Sequence, residues 1–194
     1  MRRLVEALKE QGALIGAMVL LGWGIELLDS LLLADSLQAH GIRPRSVSGL
    51  QGIVFAPFLH GGFLHLAANT VPFVVLGWVV LLSGYGRFFA VTLIAALIGG
   101  IGTWLVGGGG TNHIGASGVV FGYLGYLLFA GVYQRSLRTI LTSVVIGLSY
   151  GGMVLGVLPG VPGISWEGHL FGFLGGWLAA FLLARPKREP VENA

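Results

Sequence analysis

The sequence contains no cysteine, and only 10% of its residues are charged. The lack of cysteine excludes a disulfide framework, an iron–sulfur cluster and a thiol nucleophile. A soluble domain has about 25% charged residues, so this chain has too few to cover a water-facing surface. With 55% hydrophobic residues and a mean hydropathy of +0.85, the 194-residue chain is typical of one compact integral membrane domain.

The positive net charge of +3 does not indicate a nucleic-acid partner, because the basic residues form short clusters between apolar runs. Membrane topology explains such clusters better than nucleic-acid binding does. Glycine is abundant, with 34 residues, and in a lipid environment small residues let helix backbones approach closely. We therefore expect a tightly packed helix bundle whose surroundings are the lipid bilayer.

Six runs are long and apolar enough to cross a bilayer, which takes about 20 residues. The length of the first run favours a retained helix over a cleaved signal peptide, although it contains Glu26 and Asp29. Either a polar contact within the bundle or a water-filled cavity would accommodate these two carboxylates. The predicted spans are 13–35, 58–82, 87–106, 115–133, 137–157 and 167–184.

The fold class predicted from these runs is an all-α integral membrane protein with a bundle of six transmembrane helices. The predicted parts are a cytoplasmic N-terminus at 1–12, the membrane domain at 13–184 and a polar cytoplasmic tail at 185–194. All but Arg43 and Arg45 of the 11 Lys and Arg residues lie on one side of such a bundle. By the positive-inside rule, both termini are cytoplasmic.

With this orientation, the second, fourth and sixth helices begin at the outer face of the membrane. The segment 36–57 becomes an external loop that lies partly in the interface. The absence of a recognisable transit peptide favours a bacterial plasma membrane as the location.

Polar residues open the three helices that begin at the outer face. His65 and Asn69 share one face of the second helix, Ser117 opens the fourth, and His169 lies near the start of the sixth. Because these helices run in the same direction, equal rise per residue places the four side chains at a similar depth. Strongly polar side chains inside a bilayer are costly and indicate a functional site by default.

Two members of this cluster have the chemistry of a catalytic pair. Ser117 at a helix start has an exposed hydroxyl and a free backbone N–H, which suit attack and oxyanion binding. The neutral imidazole of His169 is a competent base near pH 7. Small residues recur every four positions beside both, so we expect close helix contact to bring the pair within hydrogen-bond reach. These small residues are Gly118, Gly122, Gly168, Gly172, Gly176 and Ala180.

Three motifs of the sequence resemble those of the rhomboid family of intramembrane serine proteases. They are His-x4-His-x3-Asn at 60–69, Gly-x-Ser-Gly at 115–118 and small-His-x2-Gly at 168–172, in the family's order and on matching helices. The resemblance covers about residues 13 to 184 and implies a rhomboid-like fold for the six-helix bundle. Each motif alone is less specific than the set of three.

The resemblance implies a Ser117–His169 dyad without a carboxylate, with His65, Asn69 and the Ser117 N–H binding the oxyanion. The substrates it implies are transmembrane proteins, cut near their outer ends after the fifth helix and the following loop move. The supporting residues it implies are His60, Gly115, Gly118, Phe121, Gly168 and Gly172.

Two positions depart from the family pattern. Phe121 stands where many members have a tyrosine that stacks on the catalytic histidine, and because the ring is kept we expect activity to survive. The common Trp-Arg pair of the first external loop is not evident, although Arg43 or Arg45 supplies a charge in that loop.

Simpler interpretations exist for each of these residues. Ser117 alone would bond a backbone carbonyl, His169 alone would serve packing or a proton relay, and His60 more often braces a loop than does chemistry. His40 and His113 are typical of loop residues. A zinc site is disfavoured because no His pair has i,i+4 spacing. We expect neither a metal nor a cofactor.

Three functions therefore remain open. The first is an intramembrane serine endopeptidase. The second is a catalytically inactive rhomboid-like protein that binds membrane segments, against which the presence of both Ser117 and His169 argues. The third is a small transporter, which is disfavoured because no inverted repeat is visible and the polar cluster occupies one face only.

Overall fold

The structure is a computed structural model that describes residues 2–184, and all regular elements in that range are helical. Five stretches are long and apolar enough to cross a membrane, whereas the last helix has only 17 residues. A multi-pass helical membrane protein is thus confirmed, while the count of six spans stays a prediction. The predicted tail 185–194 lies outside the described residues. The α-helices are α1 (Arg2–Leu32), α2 (Gly52–Phe55), α3 (Phe63–Leu81), α4 (Tyr85–Val106), α5 (Ser117–Gln134), α6 (Leu137–Tyr150) and α7 (Trp166–Leu182).

Two helices differ in length from the apolar runs that predict them. Helix α1 begins at Arg2, well before the apolar run, because its charged first turns contain good helix formers and an Arg2–Glu6 ion pair of 3.8 Å at i,i+4 spacing. Helix α6 ends at Tyr150, and the chain continues as a 3-10 helix over Gly151–Val157. Two adjacent glycines at 151 and 152 weaken the α-helix at this point.

The segment between α1 and α3 is folded rather than an open loop. The buried carboxylate of Asp29 accepts a hydrogen bond from the Leu37 N–H at 2.9 Å, which fixes the start of the segment to α1. The Arg45 guanidinium donates to the carbonyls of Leu105 (3.1 Å) and Gly107 (2.8 Å) at the C-terminus of α4. A cation is favourable at this negative end of a helix dipole. Besides α2, the segment contains 3-10 helices at Ser36–His40, Val47–Gln51 and Ala56–Phe58.

Helix α5 forms the centre of the bundle, and its residues from Val119 to Leu127 are buried. Helix α7 packs directly against it through glycines. A Cβ atom at Gly172 would collide with the carbonyl of Gly118, and one at Gly176 with the carbonyl of Gly122. The two backbones are therefore in contact, in the way the small-residue spacing predicts. This contact places the first turns of α5 and α7 side by side.

Candidate active site

A cavity of about 860 Å³ lies at the N-terminal ends of α3, α5 and α7. The four side chains predicted from the polar pattern, Ser117, His169, His65 and Asn69, all line it. Ser117 is half-buried, whereas His169 is only 9% exposed. The structure thus brings the four residues to one space, from three helices that are distant in sequence.

The His169 ring is held on two sides. Its Nδ1 lies 2.9 Å from the carbonyl oxygen of Gly156, and its face stacks on Phe121 with ring centroids 4.0 Å apart and an angle of 8°. A carbonyl can only accept, so Nδ1 carries the hydrogen and the neutral ring keeps its lone pair on Nε2. Ser117 and Phe121 are four residues apart on α5 and share one face, so the stack holds His169 over the face that bears Ser117.

The side chains of Ser117 and His169 both line the cavity. In the part of the chain that the structure describes, no hydrogen bond joins them. Catalytic pairs are often long in the free enzyme and tighten when substrate binds. The hydrogen-bond reach expected from the sequence therefore stays a prediction for the complex with substrate.

His65 and Asn69 present donors beside the serine. The Gly61 N–H donates to His65 Nδ1 at 3.2 Å, so neutral His65 carries its hydrogen on Nε2. A Cβ atom built on Gly115 would lie 2.9 Å from His65 Nε2 and 3.5 Å from Asn69 Nδ2. Gly115 has a φ of +118° and, as a glycine, no Cβ atom. The donor nitrogens of His65 and Asn69 can therefore lie close to the backbone of Gly115, two residues before Ser117.

His60 is buried behind this site, at 2% exposure. Its Nε2 accepts the N–H of Ala116 at 3.3 Å, immediately before Ser117. This geometry favours the interpretation of His60 as a brace for the start of α5.

The glycines of the motifs permit the contacts of this site. Gly118 lies against the carbonyl of Gly168, since a Cβ on Gly118 would be 3.3 Å from that oxygen. Side chains at these positions would separate α5 from α7. Over the described residues, no group of three or more His, Asp and Glu side chains has the geometry of a metal site.

The structure adds three contributors that the sequence does not single out. Gly156 supplies the carbonyl that orients His169, and a main-chain oxygen leaves no mark in a sequence. His113, interpreted as a loop residue, lines the cavity and bonds to Ser165 at the start of α7. A serine before Trp166 is typical of a helix cap, but this pattern does not indicate the contact of Ser165 with His113.

Fold and site together define a helical membrane protein in which a serine and a histidine from two packed helices line one cavity. The sequence model of the rhomboid domain family matches residues 48–186. This match covers more than half of the chain, so the chain belongs to the rhomboid family. The family membership expected from the three motifs is thereby confirmed.

Three relatives illustrate this membership. The chain is 43% identical over 186 residues to an uncharacterised protein of Mycobacterium tuberculosis, covering 92% of this chain and 77% of that protein. It is 36% identical over 132 residues to the rhomboid protease GluP of Bacillus subtilis, covering 66% of this chain and 25% of GluP. The putative rhomboid protease YdcA of the same bacterium is 31% identical over 139 residues, which cover 68% of this chain and 66% of YdcA.

Proposed function

We propose that this protein is an intramembrane serine endopeptidase that cuts transmembrane segments of membrane proteins near their outer ends. Ser117 is the nucleophile and His169 is its base. The observation that carries the proposal is the shared cavity, in which the carbonyl of Gly156 holds His169 in the tautomer with a free lone pair on Nε2. Membership of the rhomboid family supports the same assignment.

In the acylation step, the Ser117 Oγ attacks the carbonyl carbon of the scissile peptide bond and its proton moves to His169 Nε2. The negative charge that develops on the carbonyl oxygen is stabilised by the His65 Nε2–H, an Asn69 amide hydrogen and the Ser117 N–H. The last of these belongs to the first turn of α5, where N–H groups have no partner within the helix. His169 then gives its proton to the leaving amine.

In the second step, water hydrolyses the acyl-enzyme. Its oxygen attacks the ester carbon, His169 Nε2 takes the water proton, and the same proton returns to Ser117 as the new carboxyl group leaves. The cavity is large enough to hold several waters beside polar groups, which a hydrolytic reaction in a membrane requires.

The bundle crosses a bacterial plasma membrane six times in this proposal, with both termini in the cytoplasm and the cavity open to the extracytoplasmic side. The positive-inside distribution of Lys and Arg supports this orientation. Arg45, one of two exceptions, has a structural partner in the carbonyls at the end of α4. Suitable substrates carry small or helix-breaking residues near the outer end of a span, because an intact helix hides its carbonyls.

Labelling with a fluorophosphonate probe tests the assignment. The purified chain is expected to be labelled and to cut a helical model substrate. Ser117→Ala and His169→Ala should each abolish both reactions, with melting temperatures close to that of the parent chain, because the serine–histidine pair acts as a unit.

The controls separate this function from its alternative. Ser143→Ala removes a hydroxyl on α6 that bonds to the carbonyl of Leu127, away from the cavity, and should leave the labelling intact. Cleavage at the parent rate by the Ser117→Ala protein, with contaminating protease excluded, would contradict the proposal. A parent chain that binds the substrate helix but neither cuts nor reacts with the probe would indicate an inactive binding protein instead.

A further inference from the structure

The segments that precede α5 and α7 are joined by a side-chain hydrogen bond. His113 Nδ1 lies 2.7 Å from Ser165 Oγ. His113 stands four residues before Ser117, and Ser165 stands four residues before His169. The bond therefore connects two positions that each lie four residues ahead of a member of the proposed dyad.

The hydrogen positions around this bond form one consistent chain. The Thr111 hydroxyl donates to the Gly108 carbonyl at 2.7 Å, so its oxygen is available to accept the His113 Nε2–H, also at 2.7 Å. His113 Nδ1 then accepts the Ser165 hydroxyl hydrogen, and Ser165 Oγ in turn accepts the Gly168 N–H at 3.2 Å. Every polar atom has a matching partner when His113 is neutral.

The neutral form of His113 is also the favoured one. Burial lowers the pKa of this histidine, which lies in the loop before α5, and the nearby Glu167 carboxylate acts in the opposite direction. The network is thus complete at neutral pH, where His113 Nδ1 keeps the lone pair that receives the Ser165 hydroxyl.

The His113 side of the bond is firmly anchored. Its backbone exchanges two hydrogen bonds of 2.9 Å with Ile42, and the Gly115 N–H donates to the Ala56 carbonyl at 2.9 Å. The Ser165 side is different, because the seven residues 158–164 ahead of it are all exposed. The start of α7 therefore gains little from packing of the preceding chain, and the side-chain bond supplies a fixed point there.

We propose that the His113–Ser165 hydrogen bond is a positioning clasp that holds the first turn of α7 against the loop that leads into α5 at Ser117. His113 and Ser165 act through His169 and Ser117 rather than on the substrate, so they are positioning residues. The proposal rests on the proposed function as far as catalysis is concerned. Its mechanical part, the fixing of the α7 start, is independent of activity.

The test uses the full chain and measures kcat, KM, melting temperature and amide hydrogen exchange. His113→Ala and His113→Phe should lower kcat about tenfold, the effect of one well-placed hydrogen bond, with KM changed less than about twofold. The melting temperature should fall by no more than about 4 °C. Exchange of the amides in 158–170 should become about fivefold faster. Ser165→Thr, which keeps the hydroxyl, should retain the parent kcat.

A matched control is His40→Ala, because His40 also bonds to a polar side chain, Gln51 at 3.1 Å, but that partner belongs to neither α5 nor α7. It should match the parent chain in kcat and in exchange over 158–170. The double variant His113→Ala/Ser165→Ala should lose no more kcat than the worse single variant, since both remove the same contact.

The outcomes separate the clasp from the function it serves. Parent-like kcat and parent-like exchange in His113→Ala would overturn the clasp while leaving the protease assignment standing. Additive losses in the double variant, or losses of kcat that follow the melting temperature across all variants, would also overturn it. The proposed function would be refuted if the parent chain neither cut the substrate nor reacted with the probe. The mechanical clasp would still stand if amide exchange over 158–170 were faster in His113→Ala than in the parent chain.

Discussion

The imidazole of His169 is positioned by one ring and one main-chain oxygen. Phe121 covers its face, and the Gly156 carbonyl fixes its Nδ1 hydrogen. A Cβ atom on Gly156 would lie 2.9 Å from the Phe121 ring and 3.4 Å from His169 Nδ1, so a glycine is needed for the three groups to meet. The stack uses only the ring of Phe121, so this contact does not need the hydroxyl of the tyrosine that the family pattern leads us to expect.

Replacing Phe121 tests the value of this stack. Phe121→Leu keeps apolar volume but removes the aromatic face, which contributes about 0.5–1.5 kcal/mol in such pairs. We expect kcat to fall between about twofold and tenfold with KM little changed. Phe121→Tyr, the control, should keep the parent rate. Steady-state cleavage of a model substrate distinguishes the two, and a Phe121→Leu enzyme as fast as the parent would remove the stack from the mechanism.

At the residue scale, the sequence predicts which polar side chains line the cavity but not which main-chain atoms they contact. Ser117, His169, His65 and Asn69 could be named in advance because polar residues in apolar helices are rare and their helix positions give their depth. The carbonyl of Gly156 could not, since every residue has one and only the fold decides which oxygen meets an imidazole. The clasp between positions 113 and 165 likewise depends on a long-range contact that no local pattern indicates.

At the scale of elements, the contact between α5 and α7 is made by backbone rather than by side chains. Gly172→Ala should be destabilising, because its Cβ would meet the carbonyl of Gly118 and a helix would have to move. Overpacking of this kind costs about 1–3 kcal/mol. Gly24→Ala in α1 is the matched control, since its Cβ would meet nothing within 4 Å and alanine favours a helix.

Thermal unfolding in detergent measures the difference between these two variants. The melting temperature of Gly172→Ala should fall by several degrees, while that of Gly24→Ala should be unchanged or slightly raised. Equal melting temperatures would show that α5 and α7 can move apart without a loss of stability. That result would contradict the role of the small residues in holding Ser117 near His169.

The apolar pattern of the sequence does not predict where each helix begins and ends. A run of apolar residues predicts that a segment is buried in lipid, but helix continuation depends on backbone preferences. Helix α1 therefore extends through charged residues to Arg2, and the last turns of the run 137–157 form a 3-10 helix. The same 3-10 helix delivers the Gly156 carbonyl to His169, so the deviation from the predicted helix is part of the site.

At the scale of the whole molecule, the orientation in the membrane can be measured directly, because the chain has no native cysteine. Val161→Cys lies in the exposed segment before α7, and Arg138→Cys lies near the start of α6. In intact cells, a membrane-impermeant maleimide should label the first and leave the second unlabelled until the membrane is permeabilised. The reverse pattern would place the cavity on the cytoplasmic side and contradict the proposed direction of cleavage.

The glycine contacts between α5 and α7 also restrict which second mutations can suppress a substitution in this interface. Gly172 meets a carbonyl of the neighbouring helix, and that atom belongs to the peptide backbone whatever residue occupies position 118. A smaller side chain on the opposite helix therefore cannot make room for an alanine at 172. A genetic selection for revertants of Gly172→Ala should yield true reversion to glycine, or changes elsewhere that let a whole helix shift, rather than compensating substitutions at position 118.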